Sequence, residues 1–335
     1  MLSHEDSCAE TKRFAPEHCE PRGFPNRIKL RVVLELYGQS IWFCESRHQL
    51  ISALRDAIAA HHDLLNRQVL HRDISMYNIL LKGPDSAPGR SGVLIDLDLA
   101  VWAERGVSNT KADVNKGTRM YQSISALCSS DPTNDHPSPP LDYLDDLESF
   151  FYVFCHLIFG SGRPGVPPLT RRQRSYMQNW DYPVARNSAD SKEVFVRGPS
   201  YYANIRAPSA YGEAFTTLFR AFRELIKEGA VAKSDLRYLR YEEITLEERD
   251  RQLKAITDRK DEHYARLGEM FRVALLQIEE EDLHAKGEPA LSVPAPPVPA
   301  PSAVGCPHDS QAPPRGLKRP SEEDSAPRKR HRHDL

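Results

Sequence analysis

The chain has 335 residues, a length for one large or two ordinary domains, and 40% of them are hydrophobic, enough to build a core. Lys plus Arg (45) nearly balances Asp plus Glu (47), so net charge does not mark a nucleic-acid binder. The six cysteines show neither C-x-x-C spacing nor a His/Cys cluster at zinc-ligand spacing, which argues against a structural metal and suits a reducing compartment.

In chain order, the polar and acidic start Met1–Asp6 is unlike a signal or transit peptide. Residues 1–27 carry Pro16, Pro21, Gly23 and Pro25 without a period and are expected to be a mobile lead-in. Residues 28–36 are β-branched and partly alternating, a predicted strand that ends before Gly38. Ser46 with Gln49 makes a capping box, and Leu50, Ile51, Leu54, Ala57, Ile58, His61 and Leu65 then recur at helical spacing, most simply as core. Residues 78–82 and 93–96 read as short strands joined by a turn-rich hairpin. A helix is predicted over 141–160, opened by Asp142, Asp145 and Asp146 at the positive end of its dipole. Its apolar part, Phe150–Phe159, is the longest such run and too short to cross a bilayer, so no membrane contact is expected.

Residues 161–210 read as loop-rich, with Arg171, Arg172 and Arg174 a solvated basic face. Phe215, Leu218, Phe219, Phe222, Leu225 and Ile226 mark a further helix. A charged helix is predicted from Leu246 to about His284; Lys260 interrupts its seven-residue series, so packing on the domain is expected rather than a coiled coil. From 286 onward the chain turns Pro-rich with almost no bulky apolar residue, a composition for a disordered tail. Pro294–Pro297 reads as plain linker before an SH3-type ligand. The tail ends in two basic clusters, Lys318-Arg319 and Arg328-Lys329-Arg330, read as a nuclear import signal bound by an import receptor, with a solubilising tail as the alternative. The expected location is intracellular and nuclear.

The chemistry is concentrated in His71-Arg72-Asp73-Ile74-Ser75-Met76-Tyr77-Asn78, which reads H-R-D-x-x-x-x-N, the catalytic-loop signature of protein kinases. Phosphoryl transfer asks a protein mainly for position and charge. A carboxylate at Asp73 would orient an attacking hydroxyl and accept its proton, while the Asn78 amide would hold a metal ion. Asp96, at the end of the following hairpin, stands where D-F-G has its metal-binding carboxylate. A hard cation wants oxygen ligands, and Asn78 with Asp96 supplies two from adjacent strand ends.

The phrases VLHRDISMYNILL, GVLIDLDLA, KGTRMYQSIS and DDLESFFYVF, in that order, resemble the fungal-type protein kinase domain family. RVVLELYGQSIWFCESRHQLISALRDAI before the loop and Trp180 to Val196 after it are similar to that family as well. The resemblance covers roughly 28–230 and implies an α+β protein kinase-like fold, with the domain expected over 28–285: a hinge strand and a mainly helical C-lobe with short β hairpins, an incomplete N-lobe, then the disordered tail 286–335. It implies ATP and Mg2+ as cofactors and transfer of phosphate to Ser/Thr of a protein substrate that the sequence does not name. Asp73 carries over as general base, and Asn78 and Asp96 as metal ligands. Leu80 becomes the apolar floor beneath adenine, and Arg72 the partner of a phosphate in the activation segment. Thr118, after Gly117, would hydrogen-bond Asp73; His71 and Asp146 would be structural anchors, Asp146 accepting backbone bonds from the loop.

Departures accompany the resemblance. Asp98 replaces the Gly of D-F-G, Ser75 stands where many Ser/Thr kinases have a Lys, and no A-P-E follows Thr118. No G-x-G-x-x-G loop or V-A-I-K strand precedes His71; Lys12 and Lys29 are the lysines there. A loss of N-lobe residues would weaken nucleotide positioning, so reduced activity is expected. The alternative is a pseudokinase acting as a nuclear interaction module. A small-molecule phosphotransferase is a third reading, disfavoured by Arg72, Gly117-Thr118 and Asp146.

Overall fold

The computed structural model describes residues 3–10, 28–33, 38–83, 91–103, 117–131, 139–160, 169–175, 177–198, 205–238 and 245–287. Met1–Pro289 forms one compact unit; the second, Ala290–Leu335, lies outside the described residues, and with it both basic clusters and Pro294–Pro297. The architecture is mostly helical with a few short antiparallel strands, an α+β arrangement.

The first departure from expectation is at the start. Ser3–Glu10 forms strand β1, paired antiparallel with β2 (Ile28–Val33), with a register shift between Glu5 and Ala9. The lead-in expected over 1–27 is thus a strand in its first part. Local composition shows turn residues, but not that a later β-branched segment offers its backbone edge. The strand predicted over 28–36 therefore serves β1, and a different segment lies against the site: Leu81 N–H donates to the Gln39 carbonyl (2.7 Å), and Ser40 bridges Leu80. Gly38 makes that approach feasible. Its φ is +147°, and a Cβ there would collide with the Leu81 carbonyl.

Helix α1 (Arg47–Asn66) starts as its sequence dictates. The Ser46 hydroxyl accepts from Gln49 N–H (3.0 Å), while the Gln49 side chain accepts from Glu45 N–H rather than from the cap residue itself. All seven residues of its apolar stripe are buried. It leads into β3 (Val69–Leu70), then β4 (Ile79–Leu81), β5 (Gly92–Leu94) and β6 (Val101–Trp102). β4 pairs with β5 as a hairpin, and β3 with β6 across the loop between them. The connection at 84–90 is outside the described residues.

Helix α2 (Ile124–Ser129) precedes α3 (Tyr143–Phe159), the axis of the core. α3 is capped by a reciprocal box, Asp142 with Asp145, and every residue but His156 is buried. A helix that is apolar nearly all round belongs in an interior. The short α4 (Arg171–Ser175) follows in the chain, and α5 (Ala185–Arg197) and α6 (Gly212–Tyr238) pack against α3. Phe151 stacks on Phe219 (5.8 Å between centroids), and Tyr152 meets the edge of Trp180 (4.9 Å). Each fully buried large side chain contributes roughly 1.5–3 kcal/mol.

The region read as loop-rich contains α5, a second departure. Its buried residues are Ser188, Ala189, Lys192, Phe195 and Val196, so a lysine and a serine occupy core positions and break the apolar pattern. Arg171 and Arg174 are exposed, as a solvated face requires. The helix predicted from Leu246 to His284 is two, α7 (Leu246–Thr257) and α8 (Lys260–Gly287), interrupted at Asp258-Arg259. α8 packs on α1 and α6 through Tyr264, Leu267, Phe271, Ala274, Leu275 and Ile278, which is domain packing rather than a coiled coil. Among the described residues no helix is long and apolar enough to cross a membrane.

Candidate active site

The turn after β3 is shaped from below by α3. Asp146, buried in its first turn, accepts from His71 N–H at Oδ2 and Arg72 N–H at Oδ1, both at 3.0 Å. Just past these two amides the chain turns sharply, Arg72 taking φ +67°. A left-handed conformation costs a non-glycine residue about 1–2 kcal/mol, less than two hydrogen bonds to a buried anion return at about 1.5–3 kcal/mol each. Burial opposes ionisation of Asp146, but hydrogen bonding from His61, the nearby imidazoles and the Arg72 amide hold its pKa below the ordinary carboxylate value.

His61 is the member of this group that sequence reading placed in the core stripe and no further. Its Nε2 lies 2.8 Å from Asp146 Oδ2 and its Nδ1 2.6 Å from the Tyr264 hydroxyl, all three buried. A histidine on an apolar stripe is ordinary; only the distant partners, on α3 and α8, give it a task.

His71 is fully buried, and its protonation is set by its bonds. Asp73 N–H donates to Nδ1 (3.3 Å), so Nε2 carries the proton and donates to the Ile95 carbonyl (3.0 Å). Burial pushes its pKa below the usual histidine value, in keeping with a neutral ring, although Asp146 pulls the other way.

Asp73 is half-buried. Its Oδ1 accepts from Thr118 N–H (3.0 Å) and Thr118 Oγ1 (3.3 Å), while Oδ2 is 3.4 Å from Asn78 Nδ2. Gly117 permits the approach: at φ +99°, a Cβ there would press on the Arg72 carbonyl and Asp73 Oδ1 at 3.2 and 3.3 Å. Gly-Thr is a weak pair in sequence; in space it is a clamp.

Asn78 donates through Nδ2 to the Asp73 carbonyl (2.8 Å), a bond that closes the loop and leaves its Oδ1 as the remaining polar atom of the amide. Its own carbonyl accepts from Ile95 N–H (2.9 Å), which sets Asp96 just past the end of the neighbouring strand β5 at Leu94. Asp96 has φ +69° and an exposed carboxylate whose Oδ1 accepts from Asp98 N–H (3.3 Å). Leu80 is half-buried on β4, opposite Val93. The half-exposed Arg72 has its proposed partner segment in 104–116, outside the described residues. Ser75 is buried, and its carbonyl accepts from Asn78 N–H (3.1 Å). Among the described residues no three His, Cys, Asp or Glu side chains gather as a metal site. The oxygen pair Asn78 and Asp96 fits a small hard cation that keeps most of its water or takes phosphate.

The residues after Thr118 are held to α3 as well. Ser123 Oγ donates to Asp145 Oδ1 (2.7 Å), and Ile124 N–H donates to Glu148 Oε1 (2.8 Å), which also accepts from the Tyr152 hydroxyl (2.5 Å). Lys233 on α6 donates to Asp145 Oδ2 (2.6 Å) and pairs with Asp142 (2.9 Å).

Residues 3–158 match the family model described as fungal protein kinase. The matched stretch, just under half of the chain, is similar to that family. Every residue from His71 to Asp146 considered above falls inside it, as does β1. The chain is also similar to the serine/threonine-protein kinase PknF of Mycobacterium tuberculosis strain H37Rv, 29% identical over 113 residues, which are 34% of this chain and 21% of that protein. The PknF proteins of strain H37Ra and of Mycobacterium bovis match with the same figures. The chain thus spans about a fifth of the length of the curated relatives it matches. α5 to α8, with Lys192, Lys233 and Tyr264, lie beyond the family match.

Proposed function

We propose that this protein is a protein kinase-like phosphotransferase that moves a phosphoryl group from ATP to Ser or Thr of a protein substrate. The observation that carries the reading is the grip on Asp73. One oxygen takes two donors from Thr118, and the loop around it is shaped by Asp146 and closed by Asn78. In this reading Asp73 accepts the proton of the substrate hydroxyl at Oδ2, the oxygen not engaged by Thr118. Thr118 fixes the carboxylate's direction. Asn78 through Oδ1 and Asp96 would hold Mg2+, and Leu80 would lie beneath the adenine. Bound Mg-ATP supplies the electrophilic phosphorus and the charge that neutralises its oxygens. Arg72 pairs with a phosphate of the activation segment.

Mg-ATP titration followed by thermal unfolding tests it. At a hundredfold excess over Kd the nucleotide stabilises by about 2.7 kcal/mol, and Asp96→Asn removes the shift. Phosphorylation of a Ser/Thr peptide library is then lost in Asp73→Asn. An unshifted wild-type protein would sink the enzyme reading.

One observation favours a second reading, a pseudokinase interaction module. Ser75, in the place of a lysine that meets γ-phosphate charge in many kinases, is buried and offers no cation. Nucleotide binding without peptide phosphorylation would decide for it. In either case the basic clusters at Lys318-Arg319 and Arg328-Lys329-Arg330 act as a nuclear import signal. Changing Arg328, Lys329 and Arg330 to Ala in a tagged protein should abolish nuclear accumulation.

A further inference from the structure

Lys192, on α5, is fully buried, yet carries an ammonium group that a core position does not need. Taking a lysine out of water is costly, and an apolar side chain of the same length would fill the space without that cost. Its three N–H donors are accounted for by an unusual set of partners. Nζ donates to the Gln122 carbonyl (2.6 Å) and the Arg119 carbonyl (3.3 Å), and it sits 4.2 Å above the Tyr152 ring and 5.9 Å from that of Trp180. Both carbonyls belong to the ends of a 3-10 turn, Arg119–Tyr121, that begins at Thr118. Tyr121 N–H returns to the Thr118 carbonyl (2.8 Å), so the turn and the Asp73 clamp are one rigid piece.

From the other side the same piece is held by Glu148, which takes Ile124 N–H, and by Asp145, which takes Ser123 Oγ. Lys192 thus holds the carbonyls and Glu148 an amide of one short segment, from two different helices. Burial pushes the lysine down to about 7, with Glu148 pulling it back up, and burial raises Glu148 to about 7. Such groups stay in a core only where their bonds are worth the cost.

We propose that Lys192 is a positioning residue: by holding the Arg119 and Gln122 carbonyls it fixes the 118–124 segment as a platform that aims Thr118 at Asp73 and supports the peptide substrate. The platform's task rests on the phosphotransferase reading; the clamp itself does not.

Two measurements on the full chain separate these. Hydrogen exchange is compared in wild type and Lys192→Met. Amides of 118–124 should exchange about tenfold faster or more in the variant, while those of α1 and α3 keep their protection. In the second arm, the variant's kcat for a phosphorylated peptide falls at least about tenfold with KM for ATP unchanged. Should Lys192→Met not fold, Lys192→Gln, which keeps two N–H donors, takes its place and should show exchange at 118–124 faster than wild type with α1 and α3 still protected. Unchanged exchange at 118–124 in a folded variant would overturn the proposal. So would global unfolding of both variants, which would make Lys192 a general core residue. If the wild type phosphorylates no peptide, the phosphotransferase reading fails, and exchange alone still decides the clamp.

Discussion

Asp146→Asn is the sharpest perturbation of the loop, because it keeps the shape of a residue that is only 3% exposed and removes its charge. The carboxylate accepts three bonds: His61 Nε2 (2.8 Å) and His71 N–H on Oδ2, and Arg72 N–H on Oδ1. An amide has one oxygen. In its better orientation Nδ2 replaces Oδ1, the Arg72 amide faces another donor, and the two remaining bonds weaken from charge-assisted to neutral. One bond to an anion is worth about 1.5–3 kcal/mol, and the carboxylate in the first helical turn adds about 0.3–1 kcal/mol. The expected loss is about 3 kcal/mol at neutral pH, read by urea unfolding with unchanged slope. The pH dependence supplies a second reading. Asp146 has a depressed pKa, so its contribution is full above the unfolded value of 3.8 and is lost as pH falls through the lower folded value. The Asn variant should lack that part of the acid slope. A loss below about 1 kcal/mol, together with an unaltered acid slope, would refute the claim that this carboxylate holds the loop.

Three further outcomes follow from single contacts. Thr118→Val keeps the backbone donor to Asp73 but deletes the hydroxyl; peptide kcat should fall about tenfold with KM for ATP within twofold, and Thr118→Ser should restore it. Glu148→Gln alters the pH profile of stability. Burial raises the folded pKa from 4.5 to about 7, so the wild type binds a proton that the unfolded chain has lost, and its stability declines between those values as pH rises; unfolding of the Gln variant should show most of that decline removed. Gly268→Ala should stabilise by about 1 kcal/mol in urea unfolding, since Gly268 lies inside α8, where a Cβ meets open space beside a cavity of about 240 Å³ lined by Ile58, His62, Tyr264 and Phe271.

What could be read along the chain follows the range of the forces involved. Helix α1 was legible because its cap and its stripe are local: Ser46 and Gln49 are three residues apart, and seven apolar positions repeat every three to four. The same holds for the Asp142–Asp145 cap of α3 and for the β4–β5 hairpin, where pairing partners are close in sequence. β1 was not legible, since its partner lies about twenty residues on and its own composition is polar. α5 was missed because Ser188 and Lys192 interrupt the apolar period at buried positions. The break at Asp258-Arg259 shows in the sequence only as the interruption of the seven-residue series at Lys260, which bears on the coiled coil and does not by itself end a helix.

The sequence by itself determined the chemical roster, His71 to Asn78 with Asp96, Thr118 and Asp146, because those residue types at those spacings are covalently set. Only the tertiary structure decided how they are held. It brought Thr118 onto Asp73 across 45 positions, tied His61 to both Asp146 and Tyr264, and placed Lys192 beneath the turn that carries Thr118. Those contacts join residues that no local pattern relates. They exist because α3 buries nearly every face, and a polar group drawn into that core is costly unless it finds a partner there.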